Sequence, residues 1–383
     1  MLTVLGLKVI VDLVPNHTSD EHVWFGEALA APGSRARDRY MFRPGKDSVP
    51  GSGDGNLAPN NWRSIFGGPA WSRVAEQDST PREWYLHLFD TEQPDLNWDN
   101  AEVRYVRKDE MQQAFNFDFL LAGWDAERMA EAIEDSLNAD ASVEAPSTWV
   151  LSNHDTVRHS TRFGLKDPTT FPKGIAAGDE QPDAALGLER ARAATLVSFA
   201  LPGSAYIYQG EELGLPEHTT LPDETRQDPT FFRTKGAEIG RDGCRVPLPW
   251  RSAEPGFGFA DAFKGDGVRG PAAPWLPQPD SFRDLAADRQ DGIAGSTLEL
   301  YRSALAFRSA HRLGSGTFQW ADIHQPAQGV LAFKNGKVLI LSNMGQAGIP
   351  VPAGYTVALT SGQLTSDTMA EIPPSCTAYL NYT

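Results

Sequence analysis

Two short apolar runs, each followed by a pair of polar residues, constrain the fold of this chain most strongly. The runs and their polar pairs are residues 7–14 with Asn16 and His17, and residues 148–151 with His154 and Asp155. An unbroken β-branched run is typical of a strand buried on both faces of a parallel sheet. Because such strands end at one edge of the sheet, the polar pairs predict an α/β protein with a site at that edge.

The residues around the second run predict parallel strand pairing. A helix is expected over residues 184–200 and a further strand over residues 204–209, which gives the order strand, helix, strand. Upstream, residues 112–121 predict another strand, and Asp125 is placed to cap a helix. The apolar spacing of that helix predicts one buried stripe, formed by Met129, Ile133 and Leu137.

Changes in composition along the chain predict three domains. Residues 18–97 are rich in Gly, Pro, Asn and Asp and predict an insertion domain, whereas residues 314–383 predict a C-terminal antiparallel β domain with a hairpin at Asn335 and Gly336. Residues 1–17 and 98–313 form the remaining domain, in which residues 212–295 predict a long loop excursion. A helix face formed by Leu298, Tyr301 and Leu305 precedes the β domain.

The overall composition favours a soluble protein that acts on a neutral molecule. A formal net charge of -16 disfavours a nucleic-acid partner, since polyphosphates reward a basic surface. No apolar run reaches the ~18 residues that cross a bilayer, and the N-terminus has no cleavable signal pattern, so no membrane partner and a cytoplasmic location are expected. Cys244 and Cys376 stand far apart and predict free thiols rather than a zinc site or a disulfide.

Four motifs, read in their order along the chain, resemble one family. They are GLKVIVDLVPNHTSDEHVWF near the N-terminus, EQPDLNW at residues 92–98, LSNHD at residues 151–155 and YQGEELGLPE at residues 208–217. Together they are similar to the α-amylase family of glycoside hydrolases (family 13), and specifically to its α-glucosidase and oligo-1,6-glucosidase branch. The resemblance implies a (β/α)8 TIM-type barrel, a retaining mechanism on short α-glucosides of the maltose or isomaltose type, and no cofactor.

The resemblance also implies roles for residues that match the family motifs. Asp155 is expected to bind sugar hydroxyls and to stabilise the transition state, which makes it the catalytic residue. His154 and His17 are expected to donate hydrogen bonds to the sugar, and Asp12 to hold the same ring. Arg158 is given a substrate-contact role, with a solvated or salt-bridged arginine as an equal alternative.

A second group of matching residues is expected to be structural. Asp95 and Asn97 of the EQPDLNW motif would hold the insertion domain and shape the wall of the pocket. Asn16 matches a calcium ligand of true α-amylases, but the α-glucosidase branch usually lacks that metal. The sequence therefore predicts no metal site.

The segment that should carry the bond-breaking acids is too short. Retaining glycosidases use two carboxyl groups about 5 to 5.5 Å apart, and in this family both follow the QPDLN motif. Two barrel units need about 60 residues, whereas Trp98 to Ala114 provide 17. Six residues before the first run also leave no room for two further units. We therefore predict an incomplete barrel that lacks the nucleophile and the acid/base, is poorly stable, and is inactive by itself.

Other acidic residues are weak replacements for the missing pair. Arg-x-Asp triplets occur at residues 107–109, 226–228 and 289–291, but all three lie in polar surroundings rather than on an apolar strand. Glu110, Glu211 and Glu212 are interpreted as solvated loop carboxylates, because raising a carboxyl pKa requires burial.

Three functions stay open. The first is an α-glucosidase-type hydrolase by descent that is not catalytically competent as encoded, and its partner would be a small oligosaccharide or α-glucoside. The second is a non-catalytic carbohydrate-binding protein. The third is a fragment of a trehalose synthase or another transglucosylase of the same family. The linkage preference between α-1,4 and α-1,6 and the oligomeric state are left open.

Overall fold

The computed structural model of the chain describes residues 14, 16–74, 83–100, 115–142, 145–259, 274–364 and 371–383. The predicted first strand, except Val14, and the segment from residue 101 to residue 114 lie outside these residues. The α-helices of the described part are α1 (Val23–Ala30), α2 (Phe117–Leu121), α3 (Ala126–Ser142), α4 (His159–Arg162), α5 (Ala184–Ala200), α6 (Pro229–Arg233), α7 (Ala287–Gln290) and α8 (Thr297–Ala310). Its strands are β1 (Phe42–Pro44), β2 (Trp71–Arg73), β3 (Glu83–Leu86), β4 (Thr148–Trp149), β5 (Ser204–Ala205), β6 (Phe318–Trp320), β7 (Val330–Asn335), β8 (Val338–Asn343), β9 (Ile349–Pro350), β10 (Tyr355–Thr360), β11 (Glu371–Ile372) and β12 (Cys376–Tyr382).

The chain divides into two compact units. The first unit is Met1–Glu110 with Pro229–Ala237, and the second is Met111–Asp228 with Glu238–Thr383. The three predicted domains have different bounds from these units, and they stay a prediction.

The first unit is built on a small antiparallel sheet with the strand order β1-β3-β2. An aromatic cluster packs beside it, in which Phe25 of α1 contacts Tyr40 edge to face with ring centroids 5.1 Å apart. The ring of His22 caps α1 because its Nδ1 accepts a hydrogen bond from the backbone N–H of Trp24 at 3.2 Å. Polar and glycine-rich loops connect these elements, as the composition of residues 18–97 predicts.

The second unit contains the predicted parallel strand pair. The strands β4 and β5 pair in parallel, with Thr148 opposite Ser204 and Trp149 opposite Ala205. Between them in the chain lies α5, whose bounds are those expected from the sequence, and Asp183 caps it by accepting a hydrogen bond from the N–H of Leu186. This confirms the order strand, helix, strand, although β5 is much shorter than the predicted strand.

The helix α3 also agrees with the sequence. The carboxylate of Asp125 accepts a hydrogen bond from the N–H of Arg128 at 3.0 Å, as an N-cap does. Met129 and Ile133 are fully buried, and Leu137 packs against the same core. The predicted apolar stripe is therefore the face that α3 buries.

The strand predicted over residues 112–121 is wrong where the structure describes it. Phe117–Leu121 is the short helix α2. The helix begins here for a local reason. The side-chain oxygen of Asn116 accepts a hydrogen bond from the N–H of Phe119 at 2.9 Å and so caps a helical turn. The apolar residues that suggested a strand are divided by this turn, so that Phe119 and Leu120 are buried and Phe117 is exposed.

The C-terminal part of the second unit forms a five-stranded antiparallel sheet with the order β10-β12-β8-β7-β6. β7 and β8 form the predicted hairpin, in which Asn335 pairs with Val338 and Gly336 takes a positive φ of 60°. One face of the sheet shares a core with α5 and α8, and Tyr379 of β12 donates a hydrogen bond to the carbonyl of Leu196.

Two further expectations are tested in this unit. The predicted helix face of Leu298, Tyr301 and Leu305 on α8 is only partly right, because Tyr301 is buried but Leu305 is 39% exposed. Both cysteines are buried and free.

In the described part of the chain, no helix is both long enough and apolar enough to span a bilayer.

Candidate functional site

The LSNHD loop leaves the end of β4 and brings His154 and Asp155 to the surface of the second unit. The backbone N–H of Asp155 donates to the side-chain oxygen of Asn153 at 2.8 Å, which closes a tight turn. The imidazole Nε2 of His154 lies 3.5 Å from Oδ2 of Asp155. The side chain of Asp155 is 45% exposed, so its carboxylate can meet a molecule from solution.

Two arginines that sequence reasoning missed hold the other side of this carboxylate. Oδ1 of Asp155 accepts hydrogen bonds from Nη1 of Arg241 at 2.7 Å and from Nη2 of Arg245 at 3.0 Å. Nε of Arg245 also donates to the carbonyl of His154 at 2.8 Å. Oδ1 is therefore occupied by two protein donors, whereas Oδ2 lies beside the exposed imidazole of His154.

Arg241 is itself anchored by a buried carboxylate. Its Nε lies 2.5 Å from Oδ2 of Asp228, which is 1% exposed and also accepts the N–H of Arg241 at 2.9 Å. Burial alone would lower the pKa of Arg241, but the carboxylates of Asp228 and Asp155 outweigh it and raise that pKa. Asp228 and Arg226 of the triplet at residues 226–228 are both buried, and neither lies on a strand of the described part of the chain.

Arg158 is buried, so it is not the solvated arginine that the sequence allowed as an alternative. Arg158 is 2% exposed, and its guanidinium donates to the backbone carbonyls of Gln209 at 3.0 Å and Cys244 at 2.8 Å. The guanidinium also lies over the ring of Tyr208, 4.8 Å from its centroid. In this conformation Arg158 ties the loop after β4 to the segment after β5, and its substrate-contact role stays a prediction.

A buried polar layer lies beneath the LSNHD loop. The hydroxyl of Ser152 is 2.8 Å from Nδ1 of His159 and accepts the backbone N–H of His159 at 2.9 Å. Nδ1 of His159 is 3.7 Å from Oε1 of Glu211. Burial lowers the pKa of His159 to about 3 and raises the pKa of Glu211 to about 8. Both side chains are therefore neutral at pH 7, and the interpretation of Glu211 as a solvated carboxylate is wrong.

Glu217 closes the same layer from the other side. Its Oε2 accepts the backbone N–H of Arg158 at 3.2 Å, and its own N–H donates to Oγ1 of Thr161 at 2.7 Å. Burial raises the pKa of Glu217 to about 7. A Cβ at Gly243 would lie 2.4 Å from Oε1 of Glu217, so a glycine is needed for this close approach.

In the first unit, the structure brings Asn16, His17 and Asp95 together. Nδ2 of Asn16 donates to Oδ1 of Asp95 at 2.6 Å, and His17 pairs with Asp95 through an isolated β-bridge. Oδ2 of Asp95 accepts the backbone N–H of Leu88 at 2.7 Å. Burial raises the pKa of Asp95 to about 6 against these hydrogen bonds. These contacts join the DLVPNH and EQPDLNW motifs, which is what a structural role of Asp95 requires.

Asn97 joins the EQPDLNW motif to residues 38 and 39 of the first unit. Its Nδ2 donates to the carbonyl of Asp38 at 3.0 Å, and its backbone N–H donates to the carbonyl of Arg39 at 2.7 Å. Asp12 lies outside the described residues. The role predicted for Asp12 therefore stays a prediction.

An aromatic wall beside His17 was also missed by sequence reasoning. The imidazole of His17 lies against Phe89 with ring centroids 5.3 Å apart, and Phe89 meets Phe66 at 5.7 Å. Burial lowers the pKa of His17, which favours a neutral ring. Aromatic rings beside polar donors suit the apolar faces and hydroxyls of a sugar.

The predicted site residues thus fall into two groups. His154, Asp155 and Arg158 belong to the second unit, whereas Asn16, His17, Asp95 and Asn97 belong to the first. The expectation that both groups face one sugar stays a prediction. Within the described ranges, no group of three or more His, Cys, Asp and Glu residues is arranged to hold a metal ion.

The fold and the strand-end site define an α/β protein with a C-terminal antiparallel sheet. A model described as the catalytic domain of α-amylase matches residues 2–129 and 105–315, and the chain therefore belongs to the α-amylase family. The predicted family is confirmed.

Curated relatives carry names of the α-glucosidase branch. The chain is 28% identical over 450 aligned positions to a probable alpha-glucosidase of Rhizobium meliloti, covering 89% of this chain and 74% of that protein. It is 27% identical over 414 positions to a probable oligo-1,6-glucosidase of Bacillus subtilis, covering 82% and 70%. Since 89% of 383 residues enter the first alignment, roughly 110 of its positions lie opposite gaps in this chain.

Solved structures share the fold over the whole chain. The alpha-glucosyl transfer enzyme XgtA is 25% identical with a TM-score of 0.69, and the match covers 99% of this chain and 84% of that one. The trehalulose synthase MutB of Pseudomonas mesoacidophila is 20% identical with a TM-score of 0.69, covering 100% and 84%. The chain therefore has the fold of α-amylase-family enzymes, and whether its barrel is complete stays a prediction.

Proposed function

We propose that this chain is an α-glucosidase-type member of its family that binds short α-glucosides but does not cleave them by itself. The observation that carries the proposal is the carboxylate of Asp155. Two arginines fix its Oδ1, and the rest of the half-exposed group can accept hydrogen bonds from sugar hydroxyls. The names of the relatives, alpha-glucosidase and oligo-1,6-glucosidase, support a small α-glucoside as the ligand.

The missing chemistry is argued from length. Hydrolysis with retention needs a nucleophile and an acid/base about 5 to 5.5 Å apart, and the 17 residues from Trp98 to Ala114 are too few for the two barrel units that would carry them. The roughly 110 unmatched positions of the Rhizobium meliloti protein support an internal loss. The two overlapping matches to the family model, at residues 2–129 and 105–315, support a break in the same region.

The acidic residues beside Asp155 are poor substitutes for that pair. Asp228 is buried and bonded to Arg241, and Glu217 is buried and bonded to the backbone of Arg158. Glu211 is buried as well, with a carboxyl that is neutral at pH 7. A nucleophile has to be ionised and in contact with the sugar, and none of these three carboxyl groups meets both conditions.

Titration calorimetry and a turnover assay test the proposal together. We expect binding heat with maltose or isomaltose and no release of glucose from either sugar or from an aryl α-glucoside. Asp155→Asn should abolish the heat, because the amide keeps the size of the side chain but loses its charge, and its Nδ2 cannot accept a hydrogen bond from a sugar hydroxyl as Oδ2 does. Glu131→Gln, which removes an exposed carboxylate from α3, should leave the heat unchanged.

Two results would overturn the proposal in different ways. Sustained glucose release that disappears in Asp155→Ala would mean that the chain contains a working acid pair. An absence of heat at high sugar concentration, with a folded chain, would mean that it has no sugar site.

Transfer of a glucosyl group is the second candidate reaction. The structural neighbours favour it, since they include a glucosyl transfer enzyme and a trehalulose synthase. Transferases and hydrolases of this family need the same acid pair, so turnover would again be absent. If turnover occurs, mass spectrometry of the products from maltose would separate the two, because transfer yields new oligosaccharides rather than glucose alone.

A further inference from the structure

A small cavity lies inside the second unit, behind the polar layer of the LSNHD loop. It is lined by Ser160 of α4, Ala191 of α5, Glu211, and Thr297 and Tyr301 of α8. The space open to the centre of a water-sized sphere is about 10 Å³. That volume corresponds to about one water molecule.

Glu211, which lines this cavity, carries an oxygen without a hydrogen-bond partner in the described part of the chain. The side chain of Glu211 is 4% exposed, and its Oε1 has no hydrogen-bond partner among the described residues. Nδ1 of His159 lies 3.7 Å away, which is too far for a hydrogen bond, and it is already engaged with Ser152 at 2.8 Å. Buried polar atoms in folded proteins are nearly always bonded to protein or to an ordered water.

The charges around the cavity decide which molecule fits it. The guanidinium groups of Arg158 and Arg192 line it, and Arg162 acts on Glu211 from α4, so a cation would be repelled. All three arginines already donate to backbone carbonyls, and a space of about one water molecule is too small for a polyatomic anion. A neutral molecule of the size of water, able both to donate and to accept, meets these conditions.

Further hydrogen-bonding atoms are present in the cavity wall. Oγ1 of Thr297 receives only a long contact of 3.4 Å from Nη1 of Arg192, and the hydroxyl of Tyr301 is 2.9 Å from Oγ1 of Thr195. A buried water usually makes two to four hydrogen bonds. The carboxyl of Glu211 and one of these hydroxyls would supply the minimum of two hydrogen bonds that a buried water needs.

We propose that this cavity is a binding site for a single internal water molecule held by Oε1 of Glu211. The water joins the segment after β5 to α8, and it lies behind the residues of α4 that follow the LSNHD loop. It thereby completes the polar layer on which that loop rests. The proposal is independent of whether the chain binds or cleaves sugars.

A crystal structure of the full chain at high resolution is the first test. We expect a density peak in the cavity about 2.6 to 3.2 Å from Oε1 of Glu211. An empty cavity, or a carboxyl turned to bond directly to a protein group, would overturn the proposal.

Water relaxation dispersion in solution is the second test, since it counts long-lived buried waters. Glu211→Met, which keeps the length of the side chain without its polar atoms, should hold one buried water fewer than the wild type. Glu211→Gln and the neighbouring Glu212→Gln should hold the same number as the wild type. An unchanged count in Glu211→Met would contradict the proposal.

A cavity-filling variant keeps the proposal testable if Glu211→Met does not fold. Ala191→Val adds two methyl groups to the cavity wall and leaves the carboxyl in place. It should also lose one long-lived water. If Ala191→Val folds and retains the wild-type count, the water is not in this cavity.

Discussion

Replacing Glu211 by glutamine should change how the stability of the second unit depends on pH. Burial raises the pKa of this carboxyl to about 8, from an ordinary value of 4.5. A group whose folded pKa is raised above its unfolded value stabilises the fold in its neutral form. This stabilisation is complete below pH 4.5 and is lost as the pH rises towards 8. Glutamine has a similar shape but no proton to lose, so the variant escapes the loss.

The size of the stability difference follows from the rise in the pKa of Glu211. Each pH unit between the unfolded and folded pKa values costs about 1.4 kcal/mol. From pH 5 to pH 7 the wild type should therefore lose about 3 kcal/mol relative to Glu211→Gln. Glu217 and His159 also titrate in the fold, but they are present in both proteins and cancel in the difference.

Urea unfolding of both proteins at pH 5, 6 and 7, followed by circular dichroism, measures this difference. Glu131→Gln serves as a control for the loss of one carboxylate from the exposed face of α3. The free energy of unfolding of Glu211→Gln should rise relative to the wild type with each step in pH. A difference that stays constant from pH 5 to pH 7 would refute the reasoning, because Glu211 would then not be a buried neutral carboxyl.

Three other variants test separate contacts. Asp228→Asn should destabilise the fold by on the order of 3 kcal/mol, since it releases Arg241 from its buried partner. It should also weaken sugar binding, and a calorimetric heat equal to that of the wild type would contradict this second effect. Gly243→Ala should lower the free energy of unfolding by about 1 to 3 kcal/mol, because its Cβ would meet Oε1 of Glu217 at 2.4 Å. An unchanged urea midpoint would exclude the clash. Burial raises the pKa of Asp95 to about 6, so the wild type should lose stability as the pH rises from 4 to 6. Asp95→Asn should remove this loss. If the melting temperatures of the two proteins change in parallel with pH, the prediction is wrong.

Elements with strong local signals could be predicted from the sequence. The bounds of α5, the cap of α3 by Asp125 and the hairpin at Asn335 and Gly336 all depend on residues within a few positions of each other. The short helix α2 was missed because its apolar residues also fit a strand, and only the cap by Asn116 decides between the two. Leu305 was placed on the buried face of α8, but the helix turns it outward.

The candidate site could be predicted only in part. His154, Asp155 and His17 were found because they belong to motifs whose order along the chain is specific. Arg241 and Arg245 were not found, since they reach Asp155 across 86 and 90 positions of sequence and no local pattern marks them. The aromatic contact between His17 and Phe89 likewise depends on distant segments meeting.

The amino-acid sequence by itself determined the family, the order of β4, α5 and β5, and the identity of the polar residues that follow β4. These properties are written in short motifs and in hydrophobic periodicity, which need no tertiary contact to be read. Only the tertiary structure decided the electrostatic setting of each group. Glu211 and Glu212 are neighbours in one motif, but burial makes the first neutral at pH 7 while the second stays partly exposed and bonds to the backbone of Gly210. Burial is a property of the packed chain, because it depends on which distant segments exclude water from a carboxyl group.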